Sequence, residues 1–243
     1  MARIGWQGLM EVPKELYYIE DIENFTRKER MDAEHYQPMY KRLCKQLQTL
    51  GAKYIDDFCE IPFRGVQPVY SDDGQILVIN SKHLGPTEID ISQTERTTKE
   101  FYGRPDVSTA HLIKNDVLMY STGAYVGRTN AWLDNTPAMA SNHVTIIRPD
   151  HRICHPLYLS LFLNSPAGIS QSEQFSTGSA QRELYPQNVR HILVYLPQTK
   201  KGKIDLAWEE RLAEKVLASA NAKVKARAKL EEAKNLIEKA IAG

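Results

Sequence analysis

The feature that most constrains this chain is its C-terminal run. From 208 to 241 the sequence has no proline and no glycine, and Gly243 closes it. Apolar residues recur at Trp208, Leu212, Val216, Ala220 and Val224, then shift face to Ala226, Leu230, Ala233, Ile237 and Ala240. Steps of three and four stack side chains on one side of a helix, so the spacing predicts a single long α-helix with an apolar stripe. Asp205 stands just ahead of it, Glu209 and Glu210 in its first turn and Lys239 near its end, the charge order a helix dipole favours. At 1.5 Å per residue such a helix is roughly 50 Å long, about twice the reach of a small domain's core. The domain before it must leave part of the stripe bare. A second long helix, from another copy or from a partner, is expected to cover the rest, and the alanines suit close helix–helix approach.

The chain has 243 residues, 42% hydrophobic and 25% charged, which allows one large globular domain with an appendage or two small domains. No apolar run approaches the ~18 residues that span a membrane, and the first residues lack the basic-then-apolar form of a signal peptide. Cys44, Cys59 and Cys154 are scattered and odd in number. They argue against a disulfide framework and for a reducing cytoplasm. The formal net charge is only +1, less than a free-standing DNA binder usually carries.

Taken in order, the first thirty residues are weakly patterned, with one short strand expected at 16–19. A helix is expected over 34–50, with Tyr36, Tyr40, Leu43, Leu47 and Leu50 on one face, Pro38 in its first turn and Gly51 as its stop. The middle changes character. Short runs rich in branched and aromatic residues at 75–80, 116–121, 128–132, 143–148 and 192–196 read as strands bounded by turn chemistry. Between the last two, Pro156 opens a helix carrying Leu157, Leu159, Leu161, Phe162 and Leu163, and a shorter helical turn is expected after Pro166. This alternation predicts a compact α+β domain with a curved mixed sheet, over 53–204, between an N-terminal lead-in over 1–52 and the long helix over 205–243.

Charge narrows the chemistry. The stretch 175–204 carries Arg182, Arg190, Lys200, Lys201 and Lys203 against Glu183 alone, and 118–148 carries Arg128 and Arg148 against Asp134. Where acids are sparse and hydroxyls and amides dense, a surface suits phosphates and base edges. The loop from Ser121 to Arg128 has two glycines, hydroxyls, a tyrosine and an arginine, but neither a phosphate-loop pattern nor an immediate helix; a plain hairpin turn fits the same residues. Asn142 and His143 open a strand, and the turn Gly178-Ser179-Ala180-Gln181-Arg182 precedes another; each serves equally as a cap or a base-reading element. His151, Cys154 and His155 invite a metal, yet no fourth ligand follows at a sensible spacing, so no metal is expected. Neither a nucleophile elbow, nor a cofactor fingerprint, nor a paired-cysteine motif occurs. No catalysis and no cofactor are expected of this chain.

Four stretches, in order, resemble one half of the specificity subunit of a type I restriction–modification system. ERMDAEHYQPMYKRL (29–43) resembles the segment leading into a target-recognition domain. Arg64-Gly65-Val66-Gln67-Pro68, then ILVIN and Ser81-Lys82-His83-Leu84, resembles the domain's opening. NDVLMYSTGAYVGRTN with ASNHVTIIRPD resembles its centre, and STGSAQRELYPQNVRHILVYLP its close. The long helix corresponds to the family's spacer helix, although the family's usual proline-rich lead-in is altered here to LPQTKKGKIDLAWEE.

The resemblance implies a domain that reads a few base pairs of one half of a bipartite double-stranded DNA target. It implies partners that do the chemistry, a DNA adenine methyltransferase subunit and a restriction–translocase subunit. It also implies a coiled-coil-like long helix through which a homodimer forms, in the cytoplasm and away from membranes. Full-length relatives carry two recognition domains and two long helices; this chain shows one of each. The residues expected at DNA are Arg64, Gln67, Asn80, Ser81, Lys82, Ser121, Thr122, Tyr125, Arg128, Asn142, His143, Ser179, Gln181 and Arg182. Two other readings stay open: a recognition fragment of a combined methyltransferase–nuclease, and a protein-interaction adaptor that never touches DNA.

Overall fold

The computed structural model describes residues 33–178 and 181–242; the strand expected at 16–19 and Ser179 lie outside them. The first helix, α1 (Pro38–Thr49), begins on its proline and buries Tyr40 and Leu47. It is shorter than the expected 34–50. Gln37, ahead of Pro38, is extended (φ −55°, ψ 139°), as the proline ring requires of its neighbour, so Ala33–Tyr36 form a separate 3₁₀ turn. Gly51 ends α1 as expected, at φ +76°. Its N–H donates to Gln48 O at 2.9 Å and that of Ala52 to Leu47 O at 3.0 Å, the double bond of a Schellman stop.

The strands are β1 (Lys53–Tyr54), β2 (Phe63–Arg64), β3 (Ile76–Ile79), β4 (Arg96–Thr97), β5 (Val117–Tyr120), β6 (Thr129–Ala131), β7 (Ala138–Ala140), β8 (Val144–Ile147) and β9 (Leu193–Val194). The expected α+β mixture is found, its strands divided among three small sheets. The largest is antiparallel, in the order β2-β8-β5-β6, and a three-stranded sheet β4-β3-β7 holds the parallel pair β3 and β7. The pair β1-β9 stands apart. The short helices are α2 (Lys99–Tyr102), α3 (Pro156–Leu163), α4 (Pro166–Phe175) and α5 (Pro186–Val189). After Pro166 there is a ten-residue helix rather than a single turn, its first residues capped by Ser165, whose hydroxyl accepts from Gly168 N–H at 3.4 Å.

Strand alternation builds two cores on opposite faces of the four-stranded sheet. Val117, Met119 and Ile147 face α3 and pack with Tyr158, Leu159 and Leu163. Leu118, Val144 and Ile146 face the other way, onto Leu77, Ile79, Ala138 and Ala140 of the three-stranded sheet. A sheet covered on both faces favours apolar side chains along each strand, which is why VLM is wholly apolar and VTII is apolar but for Thr145, whose hydroxyl meets that of Ser121.

The long helix α6 (Leu206–Ala242) has 37 residues, about 55 Å of rise. Asp205 caps it, accepting from Trp208 N–H at 3.0 Å. Its first half docks on the domain: Glu209 and Ala213 are buried, Leu212 packs on the first core, and the Trp208 ring meets Tyr158 edge-on at 5.9 Å. Further along, Lys223 Nζ donates to Thr87 Oγ1 at 2.6 Å and Arg227 lies 3.5 Å from Glu88. From 221 to 241 every residue is exposed.

Candidate nucleic-acid interface

Topology gathers the expected residues at one end of the sheets. Antiparallel pairing sets Arg64 of β2 opposite Thr145, and Tyr120 at the end of β5 opposite Val144 at the start of β8. Parallel pairing brings the ends of β3 and β7 side by side, and Ser141 N–H continues the ladder to Ile79 O at 3.0 Å. So the segments carrying Gln67, Asn80, Ser121, Arg128 and Asn142 all leave their strands at the same rim. The segment 177–183 joins them: Thr122 bridges Glu183, and Gly123 N–H donates to Arg182 O at 2.9 Å.

Two glycines make this rim possible. Gly127 sits at φ +91°, and a Cβ there would stand 2.5 Å from Ser172 Cβ. Gly178, also at φ +91°, turns the chain so tightly that a Cβ would strike the Gln181 carbonyl. The double-glycine loop is thus a hairpin turn in its backbone; what it presents is decided by the side chains between.

Those side chains differ in how free they are. Tyr125 is exposed, and the Arg128 guanidinium lies 3.9 Å from the centre of its ring while donating to Leu84 O at 3.4 Å. His143, Gln181 and Arg182 are exposed and Asn142 is half-buried; among the described residues Arg182 has Glu173, 3.8 Å away, as its only ionic neighbour. Gln67 is exposed, its amide 3.5 Å from Pro68 O. Asn80 donates to Tyr70 OH and to Glu95 Oε2, both at 3.2 Å, while Lys82 reaches the same carboxylate through Oε1. Burial pushes the Glu95 carboxyl up, but the hydrogen bonds of Lys82, its own backbone and Asn80 together hold it below its ordinary value. Ser81 is half-buried at the start of a 3₁₀ turn.

Three expected residues carry structural duties. Ser121 is fully buried, its hydroxyl 2.6 Å from Thr145 Oγ1 and 3.2 Å from Met119 O, so it has no group to offer a ligand. Thr122 keeps its hydroxyl buried and without a partner. Arg64 is spent within the chain: Nη1 donates to Glu183 Oε1 at 2.6 Å, Nη2 to Leu184 O at 3.3 Å, and the Tyr185 ring lies 5.2 Å away. The sequence reading missed Glu183, Tyr185, Tyr70 and Glu95. Glu183 had a signal, as the one acid of a basic stretch. A hydrogen bond from Tyr185, with the Arg64 contact, holds its carboxyl below the usual range. Glu95 and Tyr70 had none, since only the β3–β4 pairing brings Glu95 to Asn80.

The HRICH residues play other parts. His155 caps α3, Nδ1 accepting from Leu157 N–H at 3.2 Å, and Cys154 is buried in the first core. Among the described residues no group of three or more His, Cys, Asp or Glu is placed to hold a metal, and no helix is long and apolar enough to cross a membrane.

No family model matches this chain, and neither does any curated protein. Solved structures do. A type I restriction–modification system, described for its complex assembly and conformational transition, is similar over 93% of this chain and 54% of its own, at 16% identity and a TM-score of 0.47. The HsdS subunit from Thermoanaerobacter tengcongensis is similar over 75% and 46%, at 16% identity and 0.43. The S subunit of the type I system from M. genitalium follows, over 58% and 33%, at 12% identity and 0.40. This chain thus spans between a third and about half the length of the chains it resembles.

Proposed function

We propose that this chain is a DNA-recognition subunit. Its rim reads one half of a bipartite target, and the methyl transfer and cleavage belong to separate methyltransferase and restriction–translocase subunits in the cytoplasm. The observation that carries this reading is the convergence, at one rim, of Gln67, Asn80, Tyr125, Arg128, Asn142, His143, Gln181 and Arg182 from five separate segments. Asparagine, glutamine and arginine are the side chains able to make paired contacts with adenine and guanine edges. A tyrosine under an arginine adds a flat, rigid platform. The ordered sequence resemblance supports the same reading. Ser121, Thr122 and Arg64 are better placed to build the rim than to touch DNA.

The net charge of +1 offers few phosphate contacts. Binding by the isolated chain is therefore weak, and the methyltransferase supplies the missing basic surface. A second copy paired along α6 would double the reading head and make the target an interrupted palindrome, with half-sites about one DNA turn apart. Selection of bound sequences from random DNA, with and without a type I methyltransferase partner, tests the proposal. A short recurring motif is expected with the partner present. A pool left unenriched under both conditions rejects the DNA reading and favours the adaptor.

A further inference from the structure

Asn80 cannot read a base in the usual way. An asparagine acting alone holds adenine by accepting from the N6 amino group with its oxygen and donating to N7 with its nitrogen. Asn80 has no nitrogen to spare. Its Nδ2 lies 3.2 Å from Glu95 Oε2 and 3.2 Å from the Tyr70 hydroxyl, which between them take both amide hydrogens. Chemistry fixes which way that amide faces: an ionised carboxylate only accepts, so the atom turned towards it is the nitrogen. Lys82 Nζ donates to Oε1 of the same carboxylate and favours its charged form. The backbone of Asn80 is held as well, its N–H donating to Nδ1 of the buried His83 at 2.9 Å.

Tyr70 completes what Asn80 lacks. Its neighbours tie it along β4: Thr97 Oγ1 donates to Val69 O at 2.6 Å, and Ser71 N–H to Arg96 O at 2.9 Å. Tyr70 itself is 48% exposed. Because its hydroxyl accepts from Asn80 Nδ2, its own hydrogen remains to be given. Asn80 Oδ1 stands 3.4 Å from it, long for a bond between two oxygens, so that hydrogen is weakly held. The contacts between Tyr70 and Asn80 are exposed, whereas the one between Asn80 and Glu95 is partly buried. The pair therefore turns outward an acceptor, Oδ1, beside a donor, the phenolic O–H. On the major-groove edge adenine sets the N6 donor beside the N7 acceptor. Guanine offers two acceptors there, cytosine an amino donor, and thymine an acceptor with a methyl group. Adenine alone matches both members of the pair.

We propose that Tyr70 is a specificity-determining residue of the rim and that it reads one major-groove adenine jointly with Asn80. Asn80 Oδ1 accepts from N6 and the Tyr70 hydroxyl donates to N7. Glu95 is the positioning residue that fixes the amide. The inference rests on the DNA reading of the rim, and its experiment is built to fail separately from it.

The motif is first selected from random DNA by the full chain with a type I methyltransferase partner. Each adenine of that motif is then replaced in turn by 7-deazaadenine, which lacks N7, or by unsubstituted purine, which lacks the N6 amino group. At one adenine per half-site, 7-deazaadenine should cost the wild type about fivefold to tenfold in affinity. Tyr70→Phe removes only an exposed hydroxyl; it should lose the same on the natural duplex and nothing more on the 7-deaza one. Asn80→Ala should be indifferent in the same way to loss of the amino group. Glu95→Ala frees the amide nitrogen to reach N7 itself, so Tyr70→Phe in that background should cost less than about twofold. A pool that enriches no motif fails the DNA reading, and this inference with it. A motif without adenine overturns the joint reading alone. So does one in which the losses from Tyr70→Phe and 7-deazaadenine add at every adenine.

Discussion

The two ends of the four-stranded sheet use arginine in opposite ways. At the end away from the rim, Arg148 is riveted. Its Nε donates to Asp116 Oδ1 at 2.7 Å and its Nη2 to Oδ2 at 3.0 Å, Asp116 is fully buried, and Ile113 N–H adds a third bond to that carboxylate at 2.9 Å. At the rim, among the described residues, Arg128 has no carboxylate partner, only a tyrosine face and one long carbonyl contact. A guanidinium matched in fork geometry by a buried acid has nothing left to give a ligand. One held by a ring and a carbonyl is already oriented, yet can exchange that carbonyl for a base edge at little cost. Acid supply, more than arginine itself, separates an engaged arginine from an available one, and Arg64 with Glu183 shows that engaged arginines reach into the rim.

The sharpest way to break this comparison is to remove the rivet. Asp116→Ala leaves a guanidinium without its acid in a half-buried site and should cost about 3–5 kcal/mol of folding stability, read as a lower midpoint in urea. The protein that remains folded at low temperature should select the same DNA motif as the wild type. A changed motif with unchanged stability would mean that the two ends do not divide the work in this way.

Glu209 shows what a buried carboxylate costs when no arginine answers it. It is fully buried at the root of α6, with one oxygen accepting His155 N–H at 2.7 Å and the other without a partner. Burial, with Asp205 adding repulsion against the His155 bond, pushes its carboxyl up to about 7. In the unfolded chain the group titrates at roughly 4.3. The folded state therefore binds the proton more tightly. Stability from this group is complete below the unfolded value and is lost as pH rises through about 7. Glu209→Gln mimics the protonated form and should match the wild type near ~pH 4. At ~pH 8 it should be more stable by roughly 1–3 kcal/mol. Melting temperatures across that range decide it: a gap that stays constant with pH would show that Glu209 is not the titrating group.

How much of this was legible in the sequence follows from range. Features written in neighbouring residues came through: the long helix, the acid Asp205 ahead of it, the Gly51 stop and the five strand positions all rest on spacing within a turn or a strand. What failed depends on pairing across the chain. Nothing in ILVI and AMA says that β3 and β7 run parallel in a sheet of their own. Nothing near Ser121 says that its hydroxyl meets Thr145, 24 residues on, in the interior. The candidate rim was legible as a list of loop residues because strand ends are loops. Which of them are already engaged was not legible, because Glu95 and Glu183 arrive from other strands and turns.

A smaller effect, on binding alone, sharpens the reader's side. Arg128→Ala and Gln181→Ala should each lower affinity for the selected target by roughly 1–3 kcal/mol and relax one position of the motif. Both side chains are at the surface or half-buried without an ionic partner, so stability should move by no more than about 0.5 kcal/mol. If both variants keep wild-type affinity and motif, the double-glycine loop and the Gly178 turn are only structural, and DNA lies against another face.

The smallest expected effect separates free cations from engaged ones. Arg182 is 55% exposed, its one acidic neighbour among the described residues 3.8 Å away, whereas Lys82 is held by Glu95. A free cation that settles on a phosphate releases a counterion, and its loss changes the slope of log affinity against log salt by about one unit. Arg182→Ala should do this while weakening all sequences alike. Lys82 already has an anion, so reaching a phosphate exchanges one partner for another with little net release. Lys82→Ala should move the slope by clearly less than one unit, and Glu95→Ala, which frees Lys82, should steepen it. Titrations at several salt concentrations with the methyltransferase present read all three variants. Equal slope changes for Lys82→Ala and Arg182→Ala would mean that the Glu95 pair opens before DNA arrives, and that the rim's bonds do not hold its cations in reserve.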